Sequence, residues 1–173
     1  MFVEMLALEK IDLGGNDLKA IGSLLTKCKN IYSLRLNDNP NLIDVNIFHL
    51  TNQLPELSYL HLANTGYKFP SVYRKGYDEQ DNYALTHLDL SANQLSDPRI
   101  LFHLQHFKGL KTLILAHNLF KFIDQLATIK TIFPQIETIN LKKNKNIDAD
   151  WIRHTKTLLR SLRVRIDTDI ETI

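Results

Sequence analysis

Residues Leu85–Leu95 read LTHLDLSANQL, and this eleven-residue phrase decides the fold. Leu88 and Leu90 lie on either side of Asp89, with His87 before them. The two leucines therefore share one face of a short strand, and His87 and Asp89 share the other. Ser91–Ala92 turn the chain, Asn93 sits in the turn, and Leu95 drops back to the apolar side. So short a strand cannot bury its face alone and needs neighbours. Six more stretches supply them: LEKIDLGGNDL at Leu8–Leu18, IYSLRLNDNPNL at Ile31–Leu42, LSYLHLANTGY at Leu57–Tyr67, LKTLILAHNLF at Leu110–Phe120, IETINLKKNKNI at Ile136–Ile147, and a worn LRSLRVRID at Leu159–Asp167. The central apolar positions are Ile11, Leu34, Leu60, Leu88, Leu113, Ile139 and Leu162, at intervals of 23, 26, 28, 25, 26 and 23.

That recurrence is the leucine-rich-repeat signature, and along nearly its whole length the chain resembles the ribonuclease-inhibitor-like branch of those proteins. The resemblance implies an α/β fold. It would be a right-handed solenoid of about seven parallel strands on a concave face, with helices on the convex face. At 173 residues the chain reads as a single domain, 1–173, large enough to bury a continuous core. Met1–Leu6 resembles the tail of a preceding convex segment, so it reads either as a short cap or as the start of a piece of a longer protein. Apolar content of 44% and charged content of 23% are those of an ordinary globular domain. Cys28 is the only cysteine, which excludes an intrachain disulfide and points to a reducing, intracellular compartment. No apolar run approaches the ~20 residues of a membrane span, and Met1–Leu8 lacks the pattern of a signal peptide.

The convex returns carry apolar residues at helical spacing. Leu18, Ile21, Leu24, Leu25 and Cys28 form one stripe, and 44–53, 96–107, 122–133 and 148–158 predict further helices. The stretch Tyr67–Ala84 (YKFPSVYRKGYDEQDNYA) breaks the plan, with Pro70, Gly76, four tyrosines and a polar run. It predicts an ordered loop or a bent segment whose tyrosines pack on the convex flank or offer a second contact surface. Trp151 is expected to seal the end of the core, and His103 and His106 to stay exposed. Asn16, Asn39, Asn93, Asn118 and Asn144 should stack as a ladder whose amides satisfy the backbone of the turns. Thr65 and Asp167 depart from that ladder and weaken its third and seventh steps.

The residues between the leucines face the concave side. Strands ~4.8 Å apart bring Tyr59, His61, His87 and Asp89 into one square, flanked by Arg35 and Ile114. A metal site on His61, His87 and Asp89 would lie on a flat sheet without a second shell. Acid–base chemistry would lack a nucleophile and a deep pocket. No phosphate loop, paired metal-ligand motif or nucleophile elbow appears, so the residues name no catalytic group, metal or cofactor. The composition of the square matches a protein-recognition hot spot. Residues 1–90 carry 8 Lys/Arg against 11 Asp/Glu, and residues 91–173 carry 13 against 8. The later surplus gathers Lys142, Lys143, Lys145, Arg160, Arg163 and Arg165. It reads as an end-cap that could also take an acidic or phosphate-bearing ligand. Modest net charge and the lack of interleaved aromatics argue against nucleic acid.

The expected function is a non-enzymatic protein-binding module using Arg35, Tyr59, His61, His87, Asp89 and Ile114, with Lys143, Arg163 and Arg165 as an electrostatic arm. The Lys-, Asn- and Ile-rich wording and the absence of cysteine caps resemble intracellular bacterial effectors with leucine-rich repeats. That resemblance implies a virulence role on host proteins in the host cytosol. The alternatives are the targeting region of a larger enzyme such as a ubiquitin ligase, and a leucine-rich-repeat GTPase-activating protein.

Overall fold

The computed structural model describes residues 7–21, 25, 27–43, 45–68 and 81–169. Seven strands of three residues each form one parallel sheet in sequence order. They are β1 Lys10–Asp12, β2 Ser33–Arg35, β3 Tyr59–His61, β4 His87–Asp89, β5 Thr112–Ile114, β6 Thr138–Asn140 and β7 Arg165–Asp167. Ile11, Leu34, Leu60, Leu88, Leu113, Ile139 and Ile166 lie opposite one another in unbroken register. From the second to the sixth of these, the central side chain is buried. They join one apolar core with the returns, in which Phe107, Phe120 and Phe133 are fully enclosed. Ile11 and Ile166, at the two ends of the sheet, are half-buried.

The turns lock the coils together. In six of them the residue before the ladder position adopts left-handed backbone: Gly15, Asp38, Asn64, Ala92, His117 and Lys143, with φ between 52° and 67°. The ladder then spans coils. Asn118 Oδ1 accepts the amides of Asn93 and Leu95, while its Nδ2 donates to the carbonyls of Leu90, Leu115 and Ala116. Asn93 does the same for Thr65, Tyr67, Leu62, Leu90 and Ser91. Asn39 serves Asn16, Leu18, Leu13, Leu36 and Asn37. Asn144 bonds Phe120, Leu115 and Leu141. Thr65 is the weak step: its hydroxyl donates to Leu62 in its own turn and approaches Asn93, and among the described residues no bond from it reaches the second turn.

The returns carry less helix than their stripes predict. The helices are α1 Ile47–Gln53, α2 Ile100–His103, α3 Ile129–Ile132 and α4 Ala149–Ser161. A 3-10 turn at Leu126–Thr128 precedes α3. Among the described residues only α4 exceeds two turns, so the described returns carry less helix than the ribonuclease-inhibitor-like resemblance implies. The cause is at the starts. α1 and α4 are capped, by Asn46 accepting from His49 N and Asp148 accepting from Trp151 N. Asp97, expected to open a helix, instead grips Arg99 through its side chain and amide. Arg99 holds the Asp97 carboxyl far below the usual carboxylate range, against the opposing effect of its partial burial. Gln125 in left-handed backbone interrupts the next stripe.

The seventh copy lies elsewhere than the LRSLRVRID reading predicts. Leu159 is buried within α4 and Leu162 is its C-cap, so Leu162 is not the strand centre; Ile166 is. Spacing of three leaves LRSL legible as strand entry or as a last helical turn. Helix wins because Asp148 caps α4 and Ile152, Thr155 and Leu159 form its buried stripe. Arg163 therefore leaves the sheet and sits in left-handed backbone beyond α4, and Asp167 is a strand residue opposite Asn140 rather than a ladder residue.

Other details sharpen the expectations. Cys28 is buried, and Trp151 packs half-buried against the core. Tyr67 is a core residue at the place that Leu95 and Phe120 hold in later coils, and burial drives its phenol upward from the usual range. Tyr83 is exposed, whereas Tyr73 and Tyr77 lie outside the described residues. His103 and His106 are largely covered rather than exposed, with side chains 14% and 20% accessible. His103 meets Asp97 at 3.1 Å, and His106 lies between Asp81 at 3.8 Å and the edge of Phe48. No helix among the described residues is long and apolar enough to cross a membrane.

Candidate functional site

The sheet register brings the expected square together. Tyr59 lies opposite His87, and His61 opposite Asp89. The Tyr59 and His87 rings stack 4.2 Å apart at 17°, forming one flat slab in the middle of the face. Tyr59 remains 38% exposed. Beside the slab, His61 Nδ1 stands 3.9 Å from Asp89 Oδ2, an electrostatic contact beyond hydrogen-bond length.

Residues beneath the square hold it in place. Thr86 Oγ1 lies 2.8 Å from His87 Nδ1 and 2.7 Å from Ser58 Oγ, tying the imidazole to a hydroxyl pair shared by neighbouring coils. Asp89 Oδ1 accepts from both the amide and the hydroxyl of Ser91. Ser58, Thr86 and Ser91 escape the sequence reading because it searches only outward-facing positions. The D-x-S spacing of Asp89 and Ser91 is nevertheless a legible Asx-turn signal. Asp12 with Gly14, and Asn140 with Lys142, repeat that turn at other strand ends.

Electrostatics favour a neutral imidazole at His87 and an ionised carboxylate at Asp89. Partial burial lowers the His87 pKa below the ordinary histidine value, and the nearby His61 and Lys111 push it the same way against Glu137. Asp89 is shifted upward by burial, but His61 and the two Ser91 donors outweigh that and hold it below the ordinary aspartate value. The outer strands pair their own charges: Arg35 with Asp12 at 3.7 Å, and Arg165 Nε with Asp167 Oδ1 at 2.9 Å. Between them, Thr112, Ile114, Thr138 and Asn140 complete a half-buried, uncharged strip. Ile114 lies directly beside Asp89 and Asn140, as expected.

The electrostatic arm is less unified. Lys143 sits in the sixth turn, where its amide bonds the Asp169 carboxylate. Arg165 is on β7, and Arg163 projects from the turn behind it. The cation that the strand reading passes over is Lys156, which joins Arg160 and Arg165 around a hollow. Its signal is the four-residue spacing of Lys156 and Arg160 on one helix. Among the described residues, no three His, Cys, Asp or Glu side chains converge as metal ligands would.

No protein-family model matches the chain, and no curated protein matches it in sequence. Solved structures do resemble it. Internalin C2 from Listeria monocytogenes aligns with all of the chain and 68% of its own, at TM-score 0.63 and 18% identity. A leucine-rich-repeat protein of Leptospira interrogans aligns with 93% of the chain and 49% of its own, at TM-score 0.53 and 18% identity. The functional domain of InlJ from Listeria monocytogenes, which includes a cysteine ladder, aligns with 96% and 36%, at TM-score 0.50 and 14% identity. The chain thus spans about half or less of the last two. At such identities the likeness establishes the fold, a leucine-rich-repeat solenoid.

Proposed function

We propose that this leucine-rich-repeat solenoid is a non-enzymatic module that binds a partner protein on its concave face. The observation that carries the reading is the Tyr59–His87 slab, stacked at 4.2 Å and centred on a sheet that holds it in place. An exposed aromatic in a ring of half-buried polar neighbours is the anatomy of an interface hot spot. The parallel ladder fixes these side chains before contact, so little ordering entropy is lost on binding. Arg35, His61, Asp89 and Ile114 complete the footprint.

Similar folds in Listeria and Leptospira support a bacterial origin. With it comes the finer reading, a secreted effector acting on a host protein in a reducing compartment. The test is capture of the partner by the immobilised chain. Tyr59→Ala with His87→Ala should abolish capture and leave the melting curve nearly unchanged. Equal capture by the double variant would remove the slab from the interface and overturn the proposal.

A further inference from the structure

The outward-facing positions of the seven described strands carry three aspartates, Asp12, Asp89 and Asp167, and two arginines, Arg35 and Arg165. Each arginine is taken by an aspartate at the rim. Arg35 meets Asp12 at 3.7 Å, and Arg165 Nε donates to Asp167 Oδ1 at 2.9 Å. Lys10, the remaining outward lysine, lies three strands from Asp89 and over the Tyr32 ring at 5.3 Å. Asp89, at the centre of the face, has no lysine or arginine beside it among the described residues. Its two oxygens differ. Oδ1 accepts from the amide and the hydroxyl of Ser91. Oδ2 faces only His61 Nδ1, at 3.9 Å, too far for a hydrogen bond.

The Asp89 side chain is 18% accessible, so it is largely withdrawn from solvent while one oxygen lacks a donor among the described residues. The His61 and Ser91 contacts keep it ionised despite that burial. Lys111 and Glu137, the charged residues that act on the adjacent His87, oppose each other in sign. An ionised carboxylate in this setting gains most from a charged donor, whose hydrogen bond is about twice as strong as a neutral one. The surroundings suit a long side chain carrying that donor. Tyr59 and His87 stack beside Asp89, and Ile114 lies opposite it on β5. An aliphatic stem can lie on these groups while its head reaches the carboxylate.

We propose that the partner protein presents a basic side chain, arginine or lysine, at the centre of the concave face, its head donating to Asp89 Oδ2 and its stem against Tyr59, His87 and Ile114. The inference rests on the concave-face reading and adds the chemistry of the partner's central contact. Its test is selection of a random peptide library, displayed on phage, against the immobilised chain, with the Tyr59→Ala, His87→Ala double variant as counter-target. Peptides held by the parent and released by the double variant should carry Arg or Lys several-fold above their frequency in the unselected library. In synthetic copies, exchanging that arginine for citrulline, or that lysine for norleucine, should weaken binding about tenfold. Asp89→Asn keeps an oxygen for the Ser91 donors and should weaken the unaltered peptide as much. Asp12→Asn, at the rim, should leave it within about twofold. Basic residues at library frequency, equal binding by the neutral peptide, or full binding by Asp89→Asn would each overturn the basic contact and leave the concave-face reading standing. A library with no peptide that separates the parent from the double variant would remove both.

Discussion

The third and fourth coils have matching strands and returns of unlike sequence. On the concave side they are twins: β3 and β4 pair residue for residue, and Leu60 lies against Leu88. Behind the sheet they part. Phe107 of the fourth return is fully buried, and Phe48 of α1, in the second return, stacks on it at 4.8 Å. The second return therefore touches the fourth although the third lies between them in sequence. The end of the third return is tied down by backbone bonds from Asn82 N to His106 O and from Gly109 N to Asn82 O. Gly109 has no room for a side chain there, because a Cβ would stand 2.1 Å from Tyr83 O. Register in this solenoid is thus kept by strand and turn, while the second and fourth returns close the core behind the sheet.

The largest effect expected from that difference is at Phe107. Phe107→Ala empties a fully enclosed site and removes the stack on Phe48. It should cost about 3–5 kcal/mol in urea denaturation. A loss under about 1 kcal/mol would mean that the core behind the sheet closes without Phe107.

The ladder gives the next test, of intermediate size. Asn118 bonds backbone groups of the fourth and fifth coils, and Asn118→Ala leaves several of them buried without partners. It should cost about 3 kcal/mol. Thr65 occupies the same place one coil before Asn93 and does less. Thr65→Asn should add about 1 kcal/mol by reaching the second turn. If Thr65→Asn destabilises instead, the third turn is too tight for an amide, and the contrast between the coils rests on volume rather than hydrogen bonding.

What the sequence made legible follows from which forces are local. Strand and turn repeat every two dozen residues with alternating leucines, so the neighbours Tyr59–His87 and His61–Asp89 could be placed from counting alone. Helix lengths could not. Asp97 pairs with Arg99 instead of capping α2, a choice between two short-range partners that the letters SDPR leave open. LRSL suits a helix end as well as a strand, and the decision came from Asp148, eleven residues upstream. Likewise, Lys156 and Arg160 share a face near Arg165 only because α4 claims Leu159. The burial of His106 depends on Phe48 and Asp81, which no local pattern brings near.

The smallest expected effect lies on the face where the two coils agree. His87 has a folded pKa below its unfolded value, because burial and the charges of His61 and Lys111 disfavour the imidazolium. In the window between the two values the unfolded chain binds more protons, so stability rises with pH there. The His87 contribution is complete above the ordinary histidine value, near 6.5. It falls as pH drops through that value toward the folded one. Asp89 acts lower. Its carboxylate supports the fold above the ordinary aspartate range and loses that support only as pH falls through its depressed folded value. Denaturation midpoints should therefore decline modestly between pH 7.5 and 5.5 and more steeply below 4. His87→Gln, which keeps a polar group beside Thr86 without a titrating ring, should flatten the first decline and leave the second. If the variant follows the parent through the upper window, the fourth-strand imidazole is not what titrates there, and the slab's neutrality has another source.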